Sequence, residues 1–103
     1  MKRVLTDEEK AARKRKTYAS RYGLTVAQLD KLEDMFSVCC ICKRPPLPGK
    51  KLYLDHDHKT GRVRGRLCFT DNYRLLGRGA LSDPERHEAA AHYLRLAFDG
   101  RSL

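Results

Sequence analysis

Residues 52–72 read LYLDHDHKTGRVRGRLCFTDN, and the way this run folds decides the architecture. Leu52–His56 alternates with the two-residue period of a strand, which puts Leu52 and Leu54 on one face and Tyr53 and Asp55 on the other. DHKTG follows as a loop, with Thr60-Gly61 as its turn. Residues 62–68 alternate again, with Arg62, Arg64 and Arg66 on one face and Val63, Gly65 and Leu67 on the other. DNYRLL then reads as a short helix that Gly77 can stop. The predicted order is strand, strand, helix. A row of three arginines on one strand face repels itself unless solvent or phosphate separates the charges.

Upstream lies CCICKRPPLPGKK, where three prolines and a glycine preclude a helix. Cys39 and Cys42, two residues apart, can turn two sulfurs onto one tetrahedral ion, and Cys68 at the end of the second strand can add a third. The fourth position falls on Asp71, which admits three roles. It can complete a Cys3Asp zinc site, held less tightly than four thiolates would hold it. It can cap the short helix. Or it can turn toward a catalytic metal near Asp55. Cys40 neighbours Cys39 too closely to share the knuckle and reads as a small buried hydrophobe or a free thiol.

Outside this centre the chain reads as helices. Thr6-Asp7-Glu8-Glu9 is a capping box that opens a basic helix running to Gly23. Thr25-Val26-Ala27-Gln28 repeats the box and opens a second helix, with Leu29, Leu32 and Phe36 on its packed face, ending near Ser37. Ser82 is expected to cap the last helix with Glu85 closing its box, and Ala90, Leu94, Ala97 and Phe98 form its apolar stripe. The division is a basic arm over 1–23, a core over 24–78 and a C-terminal helix over 79–103, all within one small α+β domain of 103 residues.

The charge is concentrated. Residues 1–22 carry eight basic and three acidic groups, residues 39–78 ten and three, within a net charge of +9. Two cationic blocks favour a polyanionic partner through counterion release. No run is apolar enough to span a membrane and no signal peptide opens the chain, so a reducing cytoplasm is expected, where four cysteines serve as metal ligands or thiols rather than disulfides.

Asp55-His56-Asp57-His58 points to phosphodiester chemistry. Hydrolysis needs a base for water, which a histidine supplies near neutral pH. It also needs a divalent cation on the phosphate. The Asp55 carboxylate and the Asn72 amide oxygen suit a hard ion such as Mg²⁺.

Taken together, CxxC, LDHDHKTGRVRGRLC, Asn72, LLG and a DPE-headed helix ending in AAAHYL resemble the phage recombination endonuclease VII family over roughly residues 20–96. YGLT before the second helix matches the family's lead-in. The resemblance implies an HNH, or His-Me finger, nuclease with a ββα-metal core and a zinc knuckle, flanked by N- and C-terminal helices. It implies His56 as general base, His58 as an imidazole on the scissile phosphate, and Asp55 and Asn72 as ligands of a catalytic Mg²⁺ or Mn²⁺. Cys39, Cys42 and Cys68 become three of four structural zinc ligands. Asp71 departs from the family pattern, which has Cys there. The implied partner is branched or duplex DNA, held by Arg62, Arg64 and Arg66 and by Arg13, Lys14, Arg15 and Lys16 of the arm. A homodimer and phage packaging proteins are further partners such nucleases admit, and the host cytoplasm is the implied location. The competing readings are a zinc-stapled module that binds nucleic acid without cutting it, and a nuclease active only with a packaging partner.

Overall fold

The structure, a computed structural model, describes residues 3–79 and 81–103. It is a small α+β fold in which helices surround one two-stranded antiparallel sheet. The order is α1 (Asp7–Arg21), α2 (Val26–Met35), β1 (Tyr53–His56), β2 (Val63–Leu67), a π-helix (Thr70–Gly77), α3 (Pro84–Arg95) and a closing 3₁₀ turn (Gly100–Ser102).

Both predicted capping boxes at α1 and α2 form. The Thr6 hydroxyl accepts from Glu9 N–H while the Glu9 carboxylate accepts from Thr6 N–H, and Thr25 and Gln28 repeat the exchange. At α3 the cap is Asp83 rather than Ser82: its carboxylate accepts from Arg86 N–H at 3.1 Å, and Pro84 occupies the first turn, where no donor is needed. The expected stripe on α3 is also corrected. The helix ends at Arg95 and buries Ala90 and Tyr93, whereas Leu94 is exposed. Phe98, beyond the helix, packs edge-on against Phe36.

The hairpin holds the main departure from alternation. Asp55 pairs with Gly65 but His56 pairs with Val63, so Arg64 is an extra residue on β2. Such a bulge reverses which face the following side chains meet. Val63 therefore joins Leu54, Leu24, Leu29 and Leu32 in one core, while Leu67 joins Leu52, Cys39, Ile41 and Tyr93 in another. The single apolar face expected for Val63, Gly65 and Leu67 is thus split, and Leu52, just before β1, falls in a different core from Leu54. Two small cores, one against α1 and α2 and one against the knuckle and α3, share the hairpin.

The arginine row is split with them. Arg66 Nη1 donates to Phe36 O at 2.8 Å and Glu33 O at 3.4 Å, so it caps the C-terminal carbonyls of α2. Arg64 turns onto Asp55. In α1, Arg15 ion-pairs with Asp30 and Glu33 and fastens α1 to α2. Two of the three strand arginines and one of the four arm cations are thereby engaged within the chain. The C-terminal turn closes the first core: Gln28 Nε2 donates to Arg101 O and Leu103 O, both at 2.9 Å, and Gly100 packs on Leu32 so tightly that a Cβ would lie 3.0 Å from its methyls.

Candidate active site and metal centre

The knuckle is built by a tight turn. Cys39 N–H donates to Arg44 O and Lys43 N–H to Cys39 O, each at 2.9 Å, and Lys43 takes a left-handed φ of 62° to close it. Cys68 leaves β2 beside it, and the π-helix begins two residues later. π-turns are rare and concentrate at functional sites; this one carries both Asp71 and Asn72.

The ligand atoms of Cys39, Cys42, Cys68 and Asp71 all lie within 4.8 Å of one another. Asp71 Oδ2 is 3.2 Å from Cys39 Sγ and 3.3 Å from Cys68 Sγ, and the sulfurs of Cys42 and Cys68 are 4.0 Å apart. Tetrahedral zinc, with Zn–S near 2.3 Å and Zn–O near 2.0 Å, needs sulfur–sulfur and sulfur–oxygen spacings of about 3.8 and about 3.5 Å. The donors fit that ion in kind and in spacing. Burial pushes the Cys39 thiol up to about 12 and raises Cys68 as well. A bound cation reverses that cost, because it takes the thiolate form. Cys40 stands outside this group and packs on the neighbouring core.

Asp71 is fully buried, and its other oxygen meets α3. Arg86 Nε lies 3.1 Å from Asp71 Oδ1. This is an ion pair by distance without hydrogen-bond alignment, so both atoms lack a directed partner, while Arg86 Nη2 reaches Oδ2 at 3.5 Å. Oδ2 therefore faces the sulfurs and the far edge of the guanidinium, and Oδ1 faces the guanidinium more closely. The π-helix has no side-chain cap, so Asp71 does not serve it as an N-cap. Its N–H instead donates to Cys68 Sγ at 3.5 Å.

On the hairpin, Asp55 is 6 % exposed. Its Oδ2 accepts from Arg64 Nε at 2.9 Å and from the Tyr93 hydroxyl at 2.8 Å, and its Oδ1 accepts from Arg64 Nη2 at 3.1 Å. Desolvation, and then the nearby Asp55 charge, raise the Tyr93 hydroxyl and keep it a donor. One lone pair of Oδ1 is left for a hard cation, and a carboxylate oriented by neighbouring donors is what such ions use.

His56 follows at the bulge, half-buried, with the Tyr22 ring edge-on at 5.3 Å and the exposed His58 ring at 4.6 Å. Asp57 ties the loop. Its Oδ1 accepts from Lys59 N–H at 2.7 Å and Thr60 N–H at 3.2 Å, which hold its carboxyl below the usual range. The hairpin brings the His56 and His58 rings together while the Asp55 carboxylate turns to Arg64 and Tyr93, and the knuckle brings Cys39, Cys42, Cys68 and Asp71 together. Tyr93, Tyr22 and Arg86 were not legible as site residues. Tyr93 carried one faint signal, its i+3 spacing from Ala90; Arg86 carried none.

Residues 13–96 match the model of the family described as recombination endonuclease VII. The chain belongs to the recombination endonuclease VII family. It is 40 % identical over 93 residues to the Gene 59 protein of Mycobacterium phage D29, a match covering 85 % of this chain and 56 % of that protein. It is 54 % identical over 39 residues to the Gene 59 protein of Mycobacterium phage L5, covering 38 % of this chain and 24 % of the other. The chain therefore spans about half the length of its D29 relative. No solved structure matches it. No helix of the described residues is long and apolar enough to cross a membrane.

Proposed function

We propose that the chain is a metal-dependent DNA endonuclease of the His-Me finger (HNH) type, a single domain over residues 1–103 that hydrolyses phosphodiester bonds in branched or duplex DNA. The observation that carries the reading is the hairpin. A buried, oriented Asp55 is followed at a bulge by two imidazoles 4.6 Å apart, in strand–strand–helix order beside a four-donor knuckle. In this reading a ring nitrogen of His56 takes a proton from the attacking water. His58, out in solvent, contacts the phosphate. Arg62 and the exposed Arg13, Lys14 and Lys16 hold the DNA backbone. Asp55 and Asn72 would hold Mg²⁺ or Mn²⁺, and Cys39, Cys42, Cys68 and Asp71 would hold zinc as a staple. The chemistry a bound Mg²⁺ or Mn²⁺ supplies is charge stabilisation of the phosphoryl and leaving oxygens. Arg64 and Tyr93 orient the Asp55 carboxylate throughout.

The test separates binding from cutting. His56→Ala should lower the cleavage rate on a four-way junction and a matching duplex by about 10²- to 10⁴-fold, with the gel-shift affinity unchanged. Undiminished cleavage removes His56 from the chemistry. A second reading, a zinc-stapled binding module, is favoured by one observation: Arg64 already neutralises Asp55 inside the chain. DNA binding with no metal-dependent cleavage on either substrate would select it.

A further inference from the structure

Beside the knuckle, on the surface formed by β1 and the start of the π-helix, lies a cavity of about 520 Å³. Leu47, Tyr53 and Phe69 line it together with Cys42, Cys68 and Arg86 of the knuckle side. Phe69 is 56 % exposed and meets Tyr53 edge-on at 6.5 Å. Leu47, 72 % exposed, stands on the opposite loop. Its rim is cationic, with Arg44, Lys50 and Lys51, and no carboxylate lines it among the described residues. The aromatic surface continues outside the cavity: Phe69 stacks on Tyr73 at 5.2 Å with 16° between the rings, and the Arg78 guanidinium sits 4.9 Å over Tyr73.

Lys51 joins this cavity to a second one. Its Nζ lies 5.4 Å from the Tyr53 ring and 6.0 Å from the Tyr18 ring. With Arg13, Lys14, Thr17, Tyr18 and Arg21, it lines a cleft of about 430 Å³ along α1. Aromatic rings and a cationic track thus share one lysine. That pairing is how proteins hold single strands, since bases stack on exposed rings while the backbone follows the positive groove. A duplex offers its bases only at the groove edges and cannot stack them on Phe69.

We propose that the Tyr53–Phe69 cavity takes an unpaired nucleobase of a single-stranded segment, with the adjoining phosphates in the Lys51 cleft along α1. The site would then favour DNA carrying an unpaired stretch over continuous duplex. This deepens the nuclease reading and rests on it. The cationic rim decides against the other occupant an exposed aromatic surface can have, a second protein surface, because such contacts deplete lysine.

The test uses the full chain loaded with zinc and without added Mg²⁺. Its probes are a single-stranded oligonucleotide carrying 2-aminopurine and the corresponding duplex. Phe69→Ala should weaken single-strand binding on the order of tenfold and abolish the 2-aminopurine quenching, with duplex binding unchanged. Phe69→Trp should restore both. Phe69 adjoins a knuckle ligand, so zinc content is measured on each variant; if Phe69→Ala loses zinc, Tyr53→Leu decides by the same criteria. Equal losses on both DNA forms, or no loss on either, overturn the proposal. So does a wild-type dimer in sedimentation that Phe69→Ala dissolves while strand binding stays intact. If the wild type nicks plasmid but Phe69 has no effect, only the stacking site falls. If it binds no DNA at all, the nuclease reading falls first.

Discussion

At the scale of single residues, Asp71 matters most. Its carboxylate stands among three cysteine sulfurs, and α3 supplies a cation against it. Arg86 comes in from α3, 19 % exposed at its side chain, to meet the oxygen that the sulfurs do not face. A thiolate offers no second atom for such a partner, so Arg86 is a companion of the carboxylate. Removing one member of a buried pair strands the other. Arg86→Ala should therefore destabilise the metal-free protein by about 3 kcal/mol and lower zinc affinity, read by calorimetric unfolding and competition with a chelator. Unchanged melting and unchanged affinity would remove Arg86 from the site. The four-residue cluster was legible, because Cys-x-x-Cys and Cys-x-x-Asp spacings are local and few residue types suit a metal. Arg86 was not, because its contact joins residues fifteen apart on different elements, with no repeat or motif to mark it.

At the scale of elements, the hairpin decides the site, and its bulge is the device. Without the extra residue, Arg64 would stand in a row with Arg62 and Arg66. With it, Arg64 turns onto Asp55 and the core divides in two. Gly65 makes this geometry accessible: a Cβ there would lie 2.9 Å from Cys40 Sγ and 3.1 Å from the Tyr93 ring. Gly65→Ala should cost about 1–3 kcal/mol of stability and push the Tyr93 hydroxyl off Asp55. Denaturant unfolding measures the first effect, and near-ultraviolet difference spectra of the tyrosines the second. A neutral substitution would mean that the close approach is not needed. The two strands, the turn at Gly61 and both N-terminal capping boxes could be read directly, since each follows from local periodicity or a four-residue motif. The bulge could not. Alternation in sequence runs on through residues 62–68 unbroken, and only the pairing partner reveals that one residue is extra. The cap of α3 slipped by one for a related reason: Ser82 and Asp83 are both good caps, and packing chose between them.

At the scale of the whole molecule, shape and charge act together. The radius of gyration is 15.5 Å and the longest extent 58 Å, against about 13 Å for a compact chain of 100 residues. In α1 only Ala19 is buried, and Arg15 and the two tyrosines near its C-terminus tie it down. Its other cations stay exposed, and Arg13, Lys14 and Arg21 line one cleft with Lys51. Each phosphate that a lysine or arginine neutralises steepens the salt dependence of duplex binding by about 0.9 in the log–log slope. Replacing Arg13, Lys14 and Lys16 together by Gln should therefore flatten the slope by about 2 to 3. Replacing Arg15, which is spent on Asp30 and Glu33, should change stability and leave the slope nearly as it was. Equal slopes for the wild type and the triple variant would show that the arm does not touch the backbone.

Most directly decisive is nicking of supercoiled plasmid by the zinc-loaded full chain, with Mg²⁺ or Mn²⁺ added, with neither, and with His56→Ala. The account predicts relaxed circles only when wild-type protein and the added ion are both present. Plasmid that stays supercoiled under all conditions, while a gel shift shows the folded protein bound to it, would contradict it and leave the chain a binding module.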